Sequence, residues 1–223
     1  MKSTYMTAIG AMALTAGVAC ASPYQSMSLD LVNDGSEGRT YRLYVGLDAG
    51  ARVDAVYGNA QGALSIYAGN GATMYQDAAG GATSQSINSA FFQFVPSMEW
   101  DSYVSIGALY SDGSPFGANN LNDIGIDWGV WEGGGDLYTD NGSWFVTPDD
   151  PQGLEQNGRV FIGQFTLQGG TGTAADLFVQ VNLQGKDANG DTWNTIGAPG
   201  WPSPGALALL GIGGFVGPRR RRH

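Results

Sequence analysis

Cysteine occurs once in this chain of 223 residues, at Cys20, and histidine occurs once, at His223. A single cysteine excludes an intrachain disulfide, and a single terminal histidine excludes a histidine base or a histidine-bound zinc site within the body of the chain. Bases are scarce as well: ten Lys and Arg stand against twenty Asp and Glu, for a net charge of -10. Five of those bases lie at the ends, Lys2 and Arg219 to Arg222, so the body sets all twenty acids against Arg39, Arg42, Arg52, Arg159 and Lys186, a net charge of -15. Such a body repels DNA, RNA and anionic membrane surfaces. No apolar run reaches the roughly 20 residues of a membrane-spanning helix. GxSxG, a phosphate-binding glycine loop with its Lys, and CxxC are all missing. What is present is an apolar share of 43%, too high for a disordered chain, and 36 glycines without the strict period of collagen.

The two ends read as addresses. Lys2 precedes the apolar stretch MTAIGAMALTAGVA, fourteen residues from Met6, the length of a signal-peptide core. Ala19-Cys20-Ala21 supplies small residues for cleavage after Ala21, so residues 1–21 are expected to be a secretory signal peptide. Cys20 is also where a lipoprotein would carry its lipid, but Gly17 stands three positions earlier, where those proteins have a long or branched aliphatic residue. At the other end, Pro202-Ser203-Pro204-Gly205 precedes the twelve apolar residues Ala206 to Gly217, then Pro218 and the cluster Arg219, Arg220, Arg221 and Arg222. Twelve helical residues rise about 18 Å, short of a hydrocarbon core of roughly 30 Å, while the arginines would hold the end on the cytoplasmic side.

This three-part tail resembles the bacterial PEP-CTERM sorting signal, with Ser203 in place of the usual acid of the Pro-Glu-Pro motif. The resemblance implies export, transient membrane contact through the uncleaved tail, and removal of the tail by an exosortase-type processing enzyme. The mature protein would then remain at the cell surface or in extracellular matrix.

Between these ends, short segments rich in Val, Ile, Tyr and Phe recur, bounded by Gly, Asn and Asp, and a helical period is nearly absent. SMSLDLV places Met27, Leu29 and Leu31 on one face. TYRLYVGLD alternates Tyr41, Leu43, Val45 and Leu47 against Arg42 and Tyr44. RVDAVYG, GALSIYAG, SAFFQFV, WDSYVSIGAL, IGIDWGVW, RVFIGQFTLQG and DLFVQVNLQG continue the series. About ten strands of this spacing predict an all-β, antiparallel β-sandwich, with a jelly roll as the alternative topology. The expected organisation is one β-sandwich domain over 22–193, a Gly- and Pro-containing spacer over 194–201, and the sorting tail over 202–223. Tyr41-Arg42-Leu43-Tyr44-Val45, Trp100 to Gly107, and Thr147-Pro148-Asp149-Asp150-Pro151-Gln152-Gly153 are similar to an uncharacterised extracellular β domain of planctomycete-like bacteria, a resemblance that implies a module and carries no activity.

The chemistry in the body is that of carboxylates and aromatics. Lys186-Asp187-Ala188-Asn189-Gly190-Asp191 spaces oxygen ligands at alternate positions of a glycine-containing turn, so Asp187, Asn189 and Asp191 are the candidate ligands for Ca2+. The Asp136/Asp140/Asn141 group and Asp149-Asp150 are rival sites, and turn geometry alone also accounts for such residues. Trp128 and Trp131, which a strand would point to opposite faces, lie beside Glu132 as a candidate sugar-stacking group. Glu99, Asp101, Asp127 and Glu132 are flanked by aromatics, as a carboxylate glycosidase would need, but no spacing pairs two of them across a cleft. The expected function is a non-enzymatic structural or adhesive module of the cell surface or extracellular matrix, self-associating through β edges. A carbohydrate-binding module that captures surface polysaccharide is the alternative, and a carboxylate-based glycoside hydrolase stands behind both.

Overall fold

The computed structural model of the chain describes residues 22–201, so the expected signal peptide (1–21) and sorting tail (202–223) lie outside the described residues. Strands β1 (Tyr24–Gly35) and β2 (Gly38–Leu47) form a long hairpin, followed by β3 (Arg52–Gly58), β4 (Leu64–Ala68) and β5 (Ala72–Met74). An excursion then runs through three short 3-10 turns, Ser84–Ser86, Ser89–Phe91 and Pro96–Trp100, and the two-residue strand β6 (Tyr103–Val104). Next come β7 (Asn122–Ile124), the single-turn helix α1 (Trp128–Glu132), β8 (Leu137–Thr139) and β9 (Gly142–Phe145). Three long strands, β10 (Arg159–Gly169), β11 (Leu177–Lys186) and β12 (Thr192–Trp201), complete the described chain.

All strand pairs are antiparallel and they make two sheets, so the chain is an all-β sandwich. In the first sheet β1, β2 and β10 lie side by side, and β5 and β6 pair with successive parts of the far side of β10. In the second, β3 and β4 lie end to end along one side of β11, with β12 on its other side. Strands β9 and β8 follow the same break against β3 and β4, and β7 closes that edge. Two kinked strands can nest only where side chains are missing. Gly58 and Gly142 face each other across the break, and a Cβ on Gly58 would run into the Thr139 carbonyl oxygen.

Period-two alternation builds the core between the sheets. Tyr41, Leu43, Val45 and Leu47 point inward from β2, as the sequence predicts, and meet Leu64, Ile66, Val179, Val181 and Leu183 from the second sheet. Trp131 and Trp144 are fully buried among them. At about 1.5–3 kcal/mol for each fully buried aliphatic side chain, this shared layer is the main source of stability in a body without disulfides.

Four sequence expectations are corrected. SAFFQFV is not a strand: the Asn88 side chain accepts from the Ala90 N–H and starts a 3-10 turn, which leaves Phe91 and Phe94 exposed. IGIDWGVW is a strand only to Ile124, because the Asp127 carboxylate accepts from the Gly129 N–H and opens α1. WDSYVSIGAL contributes only Tyr103–Val104 to a sheet, since the chain turns at Gly107, whose φ is 70°. Residues 194–201 are no spacer but most of β12. Register shifts between Val179 and Val181 and between Val181 and Leu183 absorb Gly197, at φ 56°, without ending the pairing.

The outer faces of the two sheets are treated differently by the chain. On the first, Arg42 Nε donates to Gln164 Oε1 at 3.1 Å, and Gln164 Nε2 donates to the carbonyls of Glu99 (2.9 Å) and Asp101 (3.0 Å). The Thr166 hydroxyl donates to the Trp100 carbonyl at 2.5 Å. These bonds fasten the excursion over the sheet, and Ile87, Tyr103 and Phe161 form a second small core beneath it. Among the described residues, no excursion of that length covers the outer face of the second sheet: only the short β3–β4 connection bonds it, through the Ala63 and Gly62 carbonyls to Gln180 and Asn182, and Tyr138 is 59% exposed.

Candidate functional site

The open face of the second sheet is built by the residues that alternate with its core. Along β11, Phe178, Gln180, Asn182 and Gln184 interleave with Val179, Val181 and Leu183. Register carries the pattern across the sheet: Tyr67 lies opposite Phe178, Ser65 opposite both Gln180 and Tyr138, and Tyr57 opposite both Asn182 and Ser143. Tyr67 and Phe178 stack with centroids 4.9 Å apart and planes 4° from parallel. Tyr57 and Tyr67 meet β11 four residues apart, about 13 Å at the ordinary strand rise. Asn182 is the structural member of the row: fully buried, it donates to the Gly62 carbonyl at 2.5 Å and accepts from the Gly197 N–H at 2.7 Å. It thereby joins the break between β3 and β4 to the bulged part of β12.

Five positions of this face are aromatic when Phe145, opposite Ala55, is included, and the rest are amides, hydroxyls or small residues. None of the residues that make this central area carries a charge. In a body with twenty acids, that stretch of uncharged surface needs a physical reason. Aromatic faces and amide groups are the two kinds of contact that suit the C–H faces and hydroxyls of a neutral sugar chain.

A second concavity, of about 210 Å³, sits where the excursion stops short on the first sheet. Tyr44, Leu109, Phe116, Leu154 and Phe161 give it an apolar lining. Its base, Arg159, is already committed: the guanidinium lies 3.9 Å from the Tyr44 ring centroid, and Nη1 bonds Asp30 Oδ2 at 2.7 Å.

The residues singled out from the sequence have other employment. Trp131 is closed to solvent, its ring edge-on to Phe165 at 6.1 Å, which leaves no face for a sugar. Trp128, half-buried on the same turn of α1, donates from Nε1 to Asp123 at 3.0 Å, and Glu132 accepts from the Ala82 N–H at 3.1 Å. Strand geometry does not apply to this pair, so the expected split to opposite sheet faces is withdrawn.

Asp187, Asn189 and Asp191 form the hairpin turn between β11 and β12. Asp187 Oδ1 accepts the N–H groups of Asn189 and Asp191, both at 2.9 Å, and Asn189 Nδ2 donates to its other oxygen at 3.3 Å. The Asp191 N–H first, with those of Asn189 and Gly190, holds the Asp187 carboxyl below its usual range. The arrangement is that of a carboxylate shaping its own turn. Asp150 acts likewise, accepting from Gln152 N–H at 3.0 Å and Asn120 Nδ2 at 2.6 Å, while Asp140 and Asn141 occupy the break between β8 and β9. Among the described residues, no group of three or more His, Cys, Asp and Glu is placed to hold a metal ion.

Asp101 is the one carboxyl strongly perturbed by its setting. Burial pushes it up to about 6, although the N–H groups of Asp77 (2.7 Å), Gly81 (2.9 Å) and Ser102 (2.8 Å) all donate to it. It organises the chain around Gly80 and Gly81 and sits with 0% exposure.

Searches of protein-family models, of curated proteins and of solved structures find no match for the chain.

Proposed function

We propose that the chain is an exported, non-catalytic adhesive module whose open sheet face holds a neutral polysaccharide at the cell surface or in extracellular matrix. The observation that carries this reading is the uncharged face of Tyr57, Tyr67, Tyr138, Phe178, Gln180 and Gln184 on an otherwise acidic body. A net charge of -15 disfavours anionic glycans, whereas ring stacking and amide hydrogen bonds do not depend on charge. Export rests on the two terminal segments.

The test is affinity electrophoresis of the full chain in gels containing a neutral glucan, a mannan or an acidic polysaccharide. Retardation by a neutral polymer that persists at high salt, and is lost in Tyr67→Ala and in Tyr138→Ala, is the expected result. Passage unhindered through every neutral polymer, or equal retardation of the variants, would sink the assignment.

A further inference from the structure

The excursion that covers the first sheet ends in a knob. Phe94 is 73% exposed and Phe91 51% exposed, the former the most exposed large apolar side chain among the described residues. Their 3-10 turn orders them firmly: the N–H groups of Phe94 and Val95 both donate to the Phe91 carbonyl at 2.8 Å. The intervening Phe92 packs inward, edge-on to Tyr110 at 5.2 Å, and so anchors the turn to the second small core. An exposed pair of phenylalanines on an ordered turn is costly surface to leave in water, at about 25 cal/mol per Å².

The same molecule carries a hole for it. The cleft lined by Tyr44, Leu109, Phe116, Leu154 and Phe161 measures about 210 Å³ and is mostly apolar. Charge permits the contact. No charged residue occurs between Asp77 and Glu99, and the carboxylate bonded to the knob's turn, Asp112, accepts from the Ser89 hydroxyl at 3.1 Å, while the one ionic group lining the cleft, Arg159, is a guanidinium paired with Asp30. The acid beside the knob therefore meets a cleft lined by a cation and not by a further acid, so this acidic body can meet another copy of itself there.

We infer that the chain self-associates by inserting the Phe91/Phe94 knob of one copy into the Tyr44/Phe116/Phe161 cleft of a second. The contact is heterologous: different patches of the two copies meet, so each copy offers both a knob and a cleft. It is small, which places its affinity at the weak end and makes assembly a matter of high local concentration, as at a surface. It uses side chains, in contrast to the pairing of β edges expected from the sequence, and it leaves the open face of the second sheet free.

Sedimentation velocity of the full chain from micromolar to submillimolar concentration tests the inference, with Phe94→Ser removing the knob and Leu154→Asp placing a charge at the exposed lip of the cleft. Leu154 is 39% exposed, so neither change touches the main core. Wild type is expected to associate reversibly, and each variant alone to weaken that association by at least about tenfold. An equimolar mixture of the two variants should regain a one-to-one complex, because one supplies the cleft and the other the knob. Monomeric wild type throughout, a Phe94→Ser variant that associates as wild type does, or a mixture that regains nothing would each overturn the inference. Glycan retention measured on the same variants stays unchanged, so failure of this contact and failure of the polysaccharide reading are separate results.

Discussion

The two sheets of this sandwich present opposite solutions to the same problem. The first spends a long excursion on covering its outer face, with Arg42, Gln164 and Thr166 fastening the cover and Phe161 and Tyr103 packed beneath it. The second leaves its outer face open and lines it with rings and amides that neither pack into a core nor carry charge. What differs is the use of the outward positions: stability on one side, display on the other.

The sharpest way to break that comparison is to truncate one aromatic on each face. Phe161→Ala removes a 5% exposed ring held between Tyr44 (5.7 Å) and Tyr103 (6.2 Å), and chemical denaturation should show a loss of about 3–5 kcal/mol. Tyr138→Ala on the open face should cost less than about 0.5 kcal/mol, while abolishing glycan retention. Equal costs would mean that both faces are structural.

Acid titration probes the cover next. The folded Asp101 carboxyl, at about 6, lies above its ordinary 3.8, so the native state holds the extra proton between those values. Its contribution is therefore fully present below about pH 4 and falls as pH rises through about 6, by about 3 kcal/mol. Asp176 works in the other direction. Burial opposes its ionisation, yet donors from Thr171, Asn70, Thr173 and Gly172 outweigh that and lower it, so its contribution disappears as pH falls below the ordinary carboxylate range. Asp101→Asn should flatten the decline between pH 4 and 6 in denaturation curves, and Asp176→Asn should flatten the loss at lower pH. A decline unaltered by Asp101→Asn would contradict the assignment of that carboxyl.

Smaller effects are expected inside the open face itself. Asn182→Ala breaks both side-chain bonds and strands the Gly197 N–H, while the Gly62 carbonyl keeps its bond from the Asn59 N–H, at a cost of about 1–3 kcal/mol in thermal or chemical unfolding. The least is expected from calcium. With Asp187 Oδ1 engaged by two backbone N–H groups, melting curves in chelator and in millimolar calcium should nearly coincide, and a shift removed by Asp187→Asn with Asp191→Asn would place calcium in this turn.

The fold was legible wherever alternation was strict. In β2 the inward residues Tyr41, Leu43, Val45 and Leu47 stand out in the sequence, and β11 reads as directly, whereas in β10 a bulge between Phe161 and Gly163 switches the faces and puts Val160 and Ile162 in the main core together with Phe165 and Leu167. Apolar content without alternation misled at SAFFQFV and IGIDWGVW, where the local caps Asn88 and Asp127 decide the backbone before any sheet can claim it. Gly197 and Pro199 looked like the end of the domain because a bulge that keeps a strand paired through such residues depends on the partner strand, not on local sequence. The candidate site was half visible. Gln180, Asn182 and Gln184 alternate in the sequence itself, a row of uncharged amides. That Tyr57, Tyr67 and Tyr138 join them follows only from strand order, and that this face stays uncovered follows only from where the excursion goes. Tryptophan, the richer signal by composition, pointed instead at Trp131 in the core.

The division between a covered and a displaying face is tested most directly by hydroxyl-radical footprinting of the full chain with and without the retained neutral polysaccharide. Protection of Tyr67, Tyr138 and Phe178, with Tyr44, Phe94 and Phe116 labelled equally in both states, is the predicted result. Protection confined to Tyr44 and Phe116, or no change at Tyr67 and Tyr138 under conditions of full retention, would contradict it.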